Sequence, residues 1–212
     1  MKADTRRARL IMELRQGGVT DRDVLAAMER VPRDEFVPDF FKDRAWENTA
    51  LPIGGGQTMS QPYMVAKMSE LLSLDGGERV LDVGTGSGYH AAVLAELAKE
   101  VVTIERVPEL ATRARETLTA AGYDNVEVRT GDGTLGVPDR APYDAIAVAA
   151  AAPVLPESLY EQLKIGGRMA VPVGGRANQR LELIVKSPEG PVVVRSVPCR
   201  FVPLVGKEGF SE

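Results

Sequence analysis

A glycine-rich turn between a strand and a helix constrains the fold of this chain more than any other stretch. Residues 78–92 read ERVLDVGTGSGYHAA. A β-rich run over residues 79–83 leads into three alternate glycines, and a helix-compatible segment follows over residues 87–99. Glycine has no Cβ, so the backbone can turn sharply and a ligand can lie against main-chain N–H groups at the helix start. The stretch therefore predicts a nucleotide-type site on an α/β sheet, with an ordinary tight turn as the alternative.

The spacing of the glycines separates two classes of nucleotide site. A dinucleotide-binding G-x-G-x-x-G would place its third glycine at position 89, which is Tyr89 in this chain. Here Gly88 follows Gly84 and Gly86 and comes one residue earlier. The resulting G-x-G-x-G resembles motif I of S-adenosylmethionine-dependent methyltransferases.

Composition and charge limit the classes of protein to which the chain can belong. With 212 residues, 44% of them hydrophobic, the chain can bury the core of one α/β domain. Its net charge of -4 argues against a large nucleic-acid footprint. Cys199 is the single cysteine, which excludes an intrachain disulfide and a cysteine zinc cluster. The longest apolar run, residues 145–155, is interrupted by Pro153 and is too short to span a bilayer. We therefore expect a cytoplasmic monomer without nucleic-acid or membrane partners.

Hydrophobic periodicity predicts a helical cap at the N-terminus. The cap comprises a helix around residues 8–16 and a second over residues 20–31, where Thr20 and Asp23 have the spacing of a capping box. Residues 32–52 form an irregular stretch that holds most of the large aromatic side chains. We expect these rings to form a satellite core beneath a long loop rather than a recognition surface.

After the cap, strands and helices alternate along the chain. This order predicts a mostly parallel, doubly wound α/β sheet that ends in an antiparallel hairpin. The predicted helices cover residues 62–72, 87–99, 108–121 and 156–163, and the predicted strands cover residues 79–83, 101–105, 126–129, 143–149, 167–173, 181–186 and 192–201.

Two acidic residues follow predicted strands next to the glycine turn. Glu105 ends the second core strand, where it can accept hydrogen bonds from two ribose hydroxyls. Asp132 lies between Gly131 and Gly133 after the third strand, where it can accept a hydrogen bond from an adenine amino group. The alternatives are a solvated strand-end carboxylate for Glu105 and a simple turn residue for Asp132.

Residues 51–64, LPIGGGQTMSQPYM, combine a permissive backbone with uncharged hydrogen-bonding groups that include Thr58 and Ser60. For Ser60 and Gln61 the alternative role is helix capping. The chain is poor in residues that could activate an amine, hydroxyl or carbon nucleophile, and we interpret His90, its single histidine, as a solvated or weakly capping residue. A carboxylate acceptor needs no base, because it is already anionic at neutral pH.

Seven segments carry a resemblance that spans nearly the whole chain. They are LPIGGGQTMSQPYMVAKM, VLDVGTGSGYHAAVLAEL, VVTIERVPELATRARETL, TGDGTLG, APYDAIAVAAAA, LKIGGRMAVPVG and FVPLVG. In this order they are similar to the protein-L-isoaspartate O-methyltransferases. The resemblance implies a class I methyltransferase fold with added N-terminal helices and a modified C-terminal strand order. It also implies, without a metal, methyl transfer from S-adenosylmethionine to the α-carboxylate of L-isoaspartyl residues in damaged proteins, which initiates repair through a succinimide.

The resemblance also assigns roles to individual residues of this chain. Ser60 matches the active-site serine, Thr58 and Val202 fall in segments that hold the substrate, and His90 and Val205 depart from residues common in the family. The matches for cofactor binding are Asp82, Gly84, Thr85, Gly86, Ser87, Gly88, Glu105, Asp132 and Gly133.

We expect one methyltransferase domain over residues 1–212. Residues 1–60 would form the N-terminal cap and substrate loop, residues 61–175 the cofactor-binding core, and residues 176–212 the C-terminal strands. Two alternatives stay open: a class I methyltransferase with a small-molecule, RNA or other protein acceptor, and a non-catalytic nucleotide-binding module on the same scaffold.

Overall fold

The computed structural model describes residues 3–211, in which a helical cap precedes alternating strands and helices. The helices are α1 (Ala3–Gln16), α2 (Arg22–Arg30), α3 (Pro62–Leu72), α4 (Tyr89–Ala95), α5 (Pro108–Ala120) and α6 (Glu157–Glu161). The strands are β1 (Leu51–Gly54), β2 (Gln57–Met59), β3 (Arg79–Val83), β4 (Glu100–Glu105), β5 (Val126–Thr130), β6 (Tyr143–Val148), β7 (Leu163–Gly174), β8 (Gln179–Ser187) and β9 (Gly190–Cys199). Short 3-10 helices cover Arg33–Glu35, Asp39–Arg44, Gly133–Leu135 and Pro138–Arg140.

Seven strands form the central sheet in the order β5-β4-β3-β6-β7-β8-β9, and β1 pairs with β2 in a separate two-stranded sheet. The strands from β5 to β7 are parallel to their neighbours, whereas β8 and β9 are antiparallel. This topology confirms the predicted doubly wound sheet and the terminal hairpin. Because β4 and β6 lie on opposite sides of β3, the strand order reverses at β3. In sheets of this kind, ligands bind in the crevice at the carboxyl ends of the strands beside such a reversal.

The central strand β3 is covered on both faces, which explains its almost continuous apolar sequence. Val80 packs into a core that also contains buried residues of α2, α3, α4 and α5. Leu81 and Val83 point to the opposite face and pack with residues of β6, β7 and α6. Asp82 is the exception, because it places an ionisable carboxyl group at a completely buried position of this strand. A buried carboxyl in a core strand calls for a specific explanation.

The start of α2 differs from the prediction. The helix begins at Arg22, and Asp21 caps it by accepting hydrogen bonds from the amides of Asp23 and Val24. The capping box of Thr20 and Asp23 was therefore a wrong prediction. The amide and hydroxyl of Thr20 instead donate to Oε1 of Glu70, at 2.7 and 3.0 Å. This long-range contact ties the cap to α3 and cannot be read from local spacing.

Helix α4 is shorter than predicted, because it ends at Ala95 rather than at residue 99. The amides of Lys99 and Glu100 donate to the carbonyl oxygen of Glu78, which turns the chain directly into β4. The ends of the other predicted core elements agree with the prediction to within two residues, except that β7 begins four residues earlier. The division at residues 60 and 175 stays a prediction.

The aromatic stretch between α2 and β1 contributes to the core in part. Phe36 and Trp46 are buried, and the ring of Phe36 meets that of Tyr89 edge-on at 5.9 Å between centroids. Phe40 is 88% exposed and takes no part in that core. Among the residues that the structure describes, no helix is long and apolar enough to cross a membrane.

Candidate active site

Two adjoining cavities open at the carboxyl ends of β3 and β6. The first, of about 800 Å³, we call the glycine-loop cavity. The second, of about 970 Å³, we call the Arg200 cavity, after an arginine that lines this cavity and not the first. Four residues line both cavities, namely Thr58, Ser60, Ala149 and Val202. The glycine-loop cavity is also lined by six further predicted site residues, namely Gly84, Thr85, Gly86, Ser87, Glu105 and Gly133. The structure thus brings together nine of the predicted residues, whereas Asp82, Gly88 and Asp132 line neither cavity.

The glycines of the loop give it its backbone conformation, and four of the loop amides donate within the protein. The three glycines have φ angles of 95°, 53° and 90°, which residues with a Cβ rarely adopt. The expectation that a ligand would lie against free main-chain N–H groups is wrong for four of the amides, because these donate within the protein. Gly84 and Thr85 donate to the carbonyl of Ile104, Gly86 donates to the carboxylate of Glu105, and Gly88 donates to the carbonyl of Thr85.

Glu105 is held so that half of its accepting capacity is available to a ligand. Its Oε2 accepts from the amide of Gly86 at 2.8 Å, and its Oε1 accepts from the amide of Val107 at 3.0 Å. A carboxylate offers about four lone-pair positions, so about two are left toward the cavity. This number suits the two hydroxyls of a ribose, and the fixed orientation would bind them without reorganisation.

Asp82 takes part in a buried polar network beneath the glycine loop. Its Oδ2 accepts from the hydroxyl of Thr103 at 2.8 Å, and that hydroxyl lies 2.6 Å from the hydroxyl of Thr85. Its Oδ1 has no hydrogen bond to any residue that the structure describes, and it lies 3.4 Å from Nδ1 of His90. Burial raises the pKa of Asp82 to about 7; the hydrogen bond from Thr103 opposes this rise, and the nearby charge of Glu105 adds a smaller upward contribution.

His90 is buried, so its interpretation as a solvated residue was wrong. Burial lowers the pKa of His90 to about 4, which leaves the ring neutral at pH 7. The hydroxyl of Ser69 donates to the carbonyl of Val65, and Nε2 of His90 lies 3.4 Å from the same hydroxyl oxygen. The Ser69 proton is therefore used, which assigns the ring proton to Nε2 and leaves Nδ1 as an acceptor. Protonated Asp82 can supply the missing donor to Nδ1.

Asp132 fastens the C-terminal segment to the site. Its Oδ1 accepts from the amide and hydroxyl of Thr134, and its Oδ2 accepts from the amide of Lys207 at 2.8 Å. Burial opposes ionisation, but these hydrogen bonds outweigh it and lower the pKa of Asp132. Gly133 lines the glycine-loop cavity, where a Cβ would meet Val83 at 2.9 Å. An adenine contact by Asp132 stays a prediction.

Ser60 lies between β2 and α3 with its hydroxyl available for a ligand. The amide of Tyr63 at the start of α3 donates to the side chain of Asn48, so neither Ser60 nor Gln61 caps the helix with its side chain. Within residues 3–211, the Ser60 hydroxyl has no hydrogen-bond partner, whereas its carbonyl accepts from Arg33 at 3.0 Å. The capping alternative is therefore wrong for this serine, which lines both cavities and has a free hydroxyl.

The segment around Val202 forms the remaining side of the junction. The amide of Ala151 donates to the carbonyl of Val202, and the amide of Leu204 donates back to the carbonyl of Ala151. These bonds place Pro203, Leu204 and Val205 on the lining of the glycine-loop cavity. Sequence reasoning had left their contact with the cofactor open, because the pairing joins segments about fifty residues apart.

Charge is unevenly distributed between the two cavities. Among residues 3–211, Arg200 is the one charged side chain that lines the Arg200 cavity, and Glu105 and Arg106 are the acidic and basic residues that line the glycine-loop cavity. In the described part of the chain, no group of three or more His, Cys, Asp or Glu residues is arranged to hold a metal ion. The sequence carries no signal for the place of Arg33, Tyr89 and Ala149 at the site. In the sequence, each looks like an ordinary structural residue.

The geometry of the glycine-loop cavity fits an S-adenosyl nucleoside. Glu105 presents acceptors for a ribose diol, and Ile104 and Leu204 add apolar surface. Buried Oδ1 of Asp82 has no hydrogen bond and lies next to the loop.

Comparison with other proteins identifies the family. The family model described as protein-L-isoaspartate (D-aspartate) O-methyltransferase matches residues 5–209. A protein-L-isoaspartate O-methyltransferase from Methanopyrus kandleri is 53% identical, and the match covers 97% of this chain and 94% of that protein. The protein-L-isoaspartate O-methyltransferase 2 from Marinobacter nauticus is 51% identical, with 98% of this chain and 96% of the relative covered.

Solved structures agree with the sequence comparison. A protein-L-isoaspartate O-methyltransferase structure superposes with a TM-score of 0.84 at 32% identity over 95% of this chain and 66% of the other. A Plasmodium falciparum structure in complex with S-adenosyl-L-homocysteine gives a TM-score of 0.79 at 26% identity and covers 93% of this chain and 97% of its own. Sequence, fold and site geometry therefore agree that the chain belongs to the protein-L-isoaspartate (D-aspartate) O-methyltransferase family.

Proposed function

We propose that this chain transfers the methyl group of S-adenosylmethionine to the α-carboxylate of L-isoaspartyl residues in damaged proteins and peptides, which initiates their repair through a succinimide. The observation that carries the proposal is the wall shared by two cavities, formed by Thr58, Ser60, Ala149 and Val202. Methyl transfer is an in-line displacement, so donor and acceptor must approach each other through one opening. Because the same four residues line both cavities, the cavities adjoin each other, which supports such an approach.

On the donor side, the residues of the chain bind and orient the cofactor. Glu105 accepts from the ribose hydroxyls, and the glycine loop and Gly133 allow close approach of the nucleoside. Asp82, Asp132 and the remaining predicted cofactor residues stabilise this side or contact the cofactor directly. When bound, S-adenosylmethionine supplies a methyl group activated by its sulfonium.

On the acceptor side, positioning is sufficient for the reaction. A carboxylate is anionic at neutral pH, so no general base is required. His90 is not available as one, because its ring nitrogens face Asp82 and Ser69. The free hydroxyl of Ser60 can donate to the carboxylate and orient it toward the methyl group, while Thr58 and Val202 hold the substrate. The net charge of -4 supports an enzyme without nucleic-acid partners, which we propose to be monomeric and cytoplasmic.

A matched pair of peptides tests the substrate. We expect S-adenosylmethionine-dependent methylation of a peptide that contains one L-isoaspartyl residue and none of its L-aspartyl twin, because only the former presents a free α-carboxylate on a shortened side arm. Methanol should be released later, as the ester closes to the succinimide. Equal methylation of both peptides would indicate another carboxyl acceptor. Methylation of neither, with bound S-adenosylhomocysteine detected by calorimetry, would favour a different acceptor or a binding module.

Ser60→Ala tests the acceptor side. We expect kcat/KM for the isoaspartyl peptide to fall about 10- to 50-fold, the cost of losing one hydrogen bond to a charged group. The Kd for S-adenosylhomocysteine should stay within about twofold, because the hydroxyl makes no contact that holds the glycine loop. Ser196→Ala is the matched control, since that hydroxyl bonds to Arg180 in the outer hairpin. Unchanged turnover in Ser60→Ala would remove Ser60 from the catalytic assignment.

A further inference from the structure

Arg33 is a buried arginine that the reaction described above does not use. It is 0% exposed, although it lies in a short 3-10 helix of the cap. Its Nε donates to the carbonyl of Ala45 at 2.8 Å, and its Nη2 donates to the carbonyl of Ser60 at 3.0 Å. The centre of the guanidinium lies 4.4 Å from the centroid of the Tyr89 ring.

No described carboxylate forms an ion pair with Arg33, and its Nη1 is buried without a hydrogen bond. A buried charge without a counter-ion is costly, and an apolar side chain of similar volume often packs as well or better. The cation–π contact with Tyr89 offsets only part of this cost. Stability of the cap therefore does not by itself account for an arginine at this position.

The three contacts of Arg33 join the segments that build the two sides of the site. Ser60 belongs to the wall between the cavities, and Tyr89 begins α4 directly after the glycine loop and lines the glycine-loop cavity. Ala45 belongs to the N-terminal cap. The planar guanidinium fixes its N–H directions and its stacking plane together, so one side chain sets the Ser60 backbone relative to the Tyr89 ring.

We propose that Arg33 is a positioning residue for methyl transfer. It holds the Ser60 backbone against Tyr89 and thereby sets the distance between the Ser60 hydroxyl, which orients the substrate carboxylate, and the bound cofactor. This inference rests on the proposed function, in which the Ser60 hydroxyl donates a hydrogen bond to the substrate carboxylate. Methyl transfer is sensitive to such a distance, since misplacement by about 1 Å can cost on the order of 100-fold in rate. Arg33 acts through Ser60 and does not line either cavity itself.

The test is a double-mutant cycle with Arg33→Met and Ser60→Ala, assayed on the isoaspartyl peptide. Arg33→Met should lower kcat/KM about tenfold in the wild-type background but less than about twofold in Ser60→Ala, where no hydroxyl remains to be positioned. The Kd for S-adenosylhomocysteine should change less than about threefold. Arg44→Met, an exposed arginine of the same cap that pairs with Glu47, is the matched control and should leave kcat/KM unchanged.

Arg33→Lys keeps the proposal testable if the methionine variant does not fold. Lysine retains the charge but presents a point charge that cannot reproduce the planar fork, so only part of the lost kcat/KM should return. Full activity in Arg33→Lys, additive losses in the cycle, or a parallel loss of S-adenosylhomocysteine affinity would each overturn the proposal. The wild-type enzyme on the two peptides tests the methyl transfer itself, so that failure of one inference is distinguished from failure of the other.

Discussion

Glu105→Ala is expected to weaken S-adenosylhomocysteine binding by at least about 100-fold. The variant removes the charged acceptor of the two proposed ribose hydrogen bonds, each worth about 1.5 kcal/mol or more, and about 1.4 kcal/mol corresponds to a tenfold change in Kd. It also leaves the amides of Gly86 and Val107 without their carboxylate partner. Calorimetric titration of the folded variant measures the effect directly.

Glu100→Gln is the matched control for Glu105→Ala. Glu100 lies at the opposite end of β4, where it pairs with Arg79 and Arg140 away from the glycine-loop cavity. Its replacement should leave the Kd within about twofold of the wild-type value. If Glu105→Ala bound the cofactor as tightly as this control, the ribose assignment would be wrong, and Glu105 would serve only to hold the glycine loop.

Asp82→Asn is expected to stabilise the ligand-free protein at pH 8 while weakening cofactor binding. Burial raises the pKa of Asp82 from 3.8 to about 7, so at pH 8 the folded protein carries an ionised carboxylate in its core. A shift of this size corresponds to a cost on the order of 4 kcal/mol, which an amide avoids. The amide oxygen still accepts from Thr103, and its nitrogen can donate to Nδ1 of His90.

The sign of the pH dependence follows from the direction of the Asp82 shift. Well below pH 3.8 the carboxyl is protonated in both folded and unfolded chains, and Asp82→Asn should have little effect on stability. As pH rises from about 4 to 7, only the unfolded chain releases the proton, so wild-type stability falls relative to the variant. Above about pH 7 the difference is constant. The lowered pKa of His90 acts in the opposite direction, since stability from its neutral form is lost as pH falls through about 6.5 toward 4.

Denaturant unfolding of both ligand-free proteins at pH 4, 6 and 8 measures the Asp82 effect, and calorimetry measures binding. Asp144→Asn is the control on neighbouring strand β6. There burial opposes ionisation, but Lys164 and the amide of Arg79 outweigh it and lower the pKa of Asp144, so the same substitution should destabilise the protein at pH 8. A destabilised Asp82→Asn with unchanged cofactor affinity would contradict the assignment.

The predictions that held rest on local patterns. Pro62 at the first position of α3 and the residues of β3 predicted the bounds of those elements, because proline fixes φ and a strand covered on both faces is continuously apolar. The order of alternating helices and strands predicted the parallel sheet, and a turn signal between two strand-like runs predicted the hairpin. Each pattern depends on residues close together in the chain.

The predictions that failed involve partners far apart in the chain. Thr20 was assigned a local cap, yet it bonds to Glu70 fifty residues later. His90 was expected in solvent, yet α3 and β3 bury it against Ser69 and Asp82. The loop amides were expected to be free, yet the adjacent strand β4 supplies acceptors for three of them. Local spacing contains no information on which distant group will satisfy a polar atom.

The sequence by itself determined the class of sheet and the early third glycine that favours S-adenosylmethionine, because glycine spacing and periodicity constrain the backbone directly. The family rested on a different signal, the resemblance of seven segments in order along the chain. Only the tertiary structure decided that Ser60 has a free hydroxyl at a wall between two cavities, and that Arg33 joins its carbonyl to the Tyr89 ring. These arrangements depend on the packing of the cap, α3 and α4 against one another. Packing brings together residues that the chain keeps tens of positions apart, and it decides which polar groups stay available for chemistry.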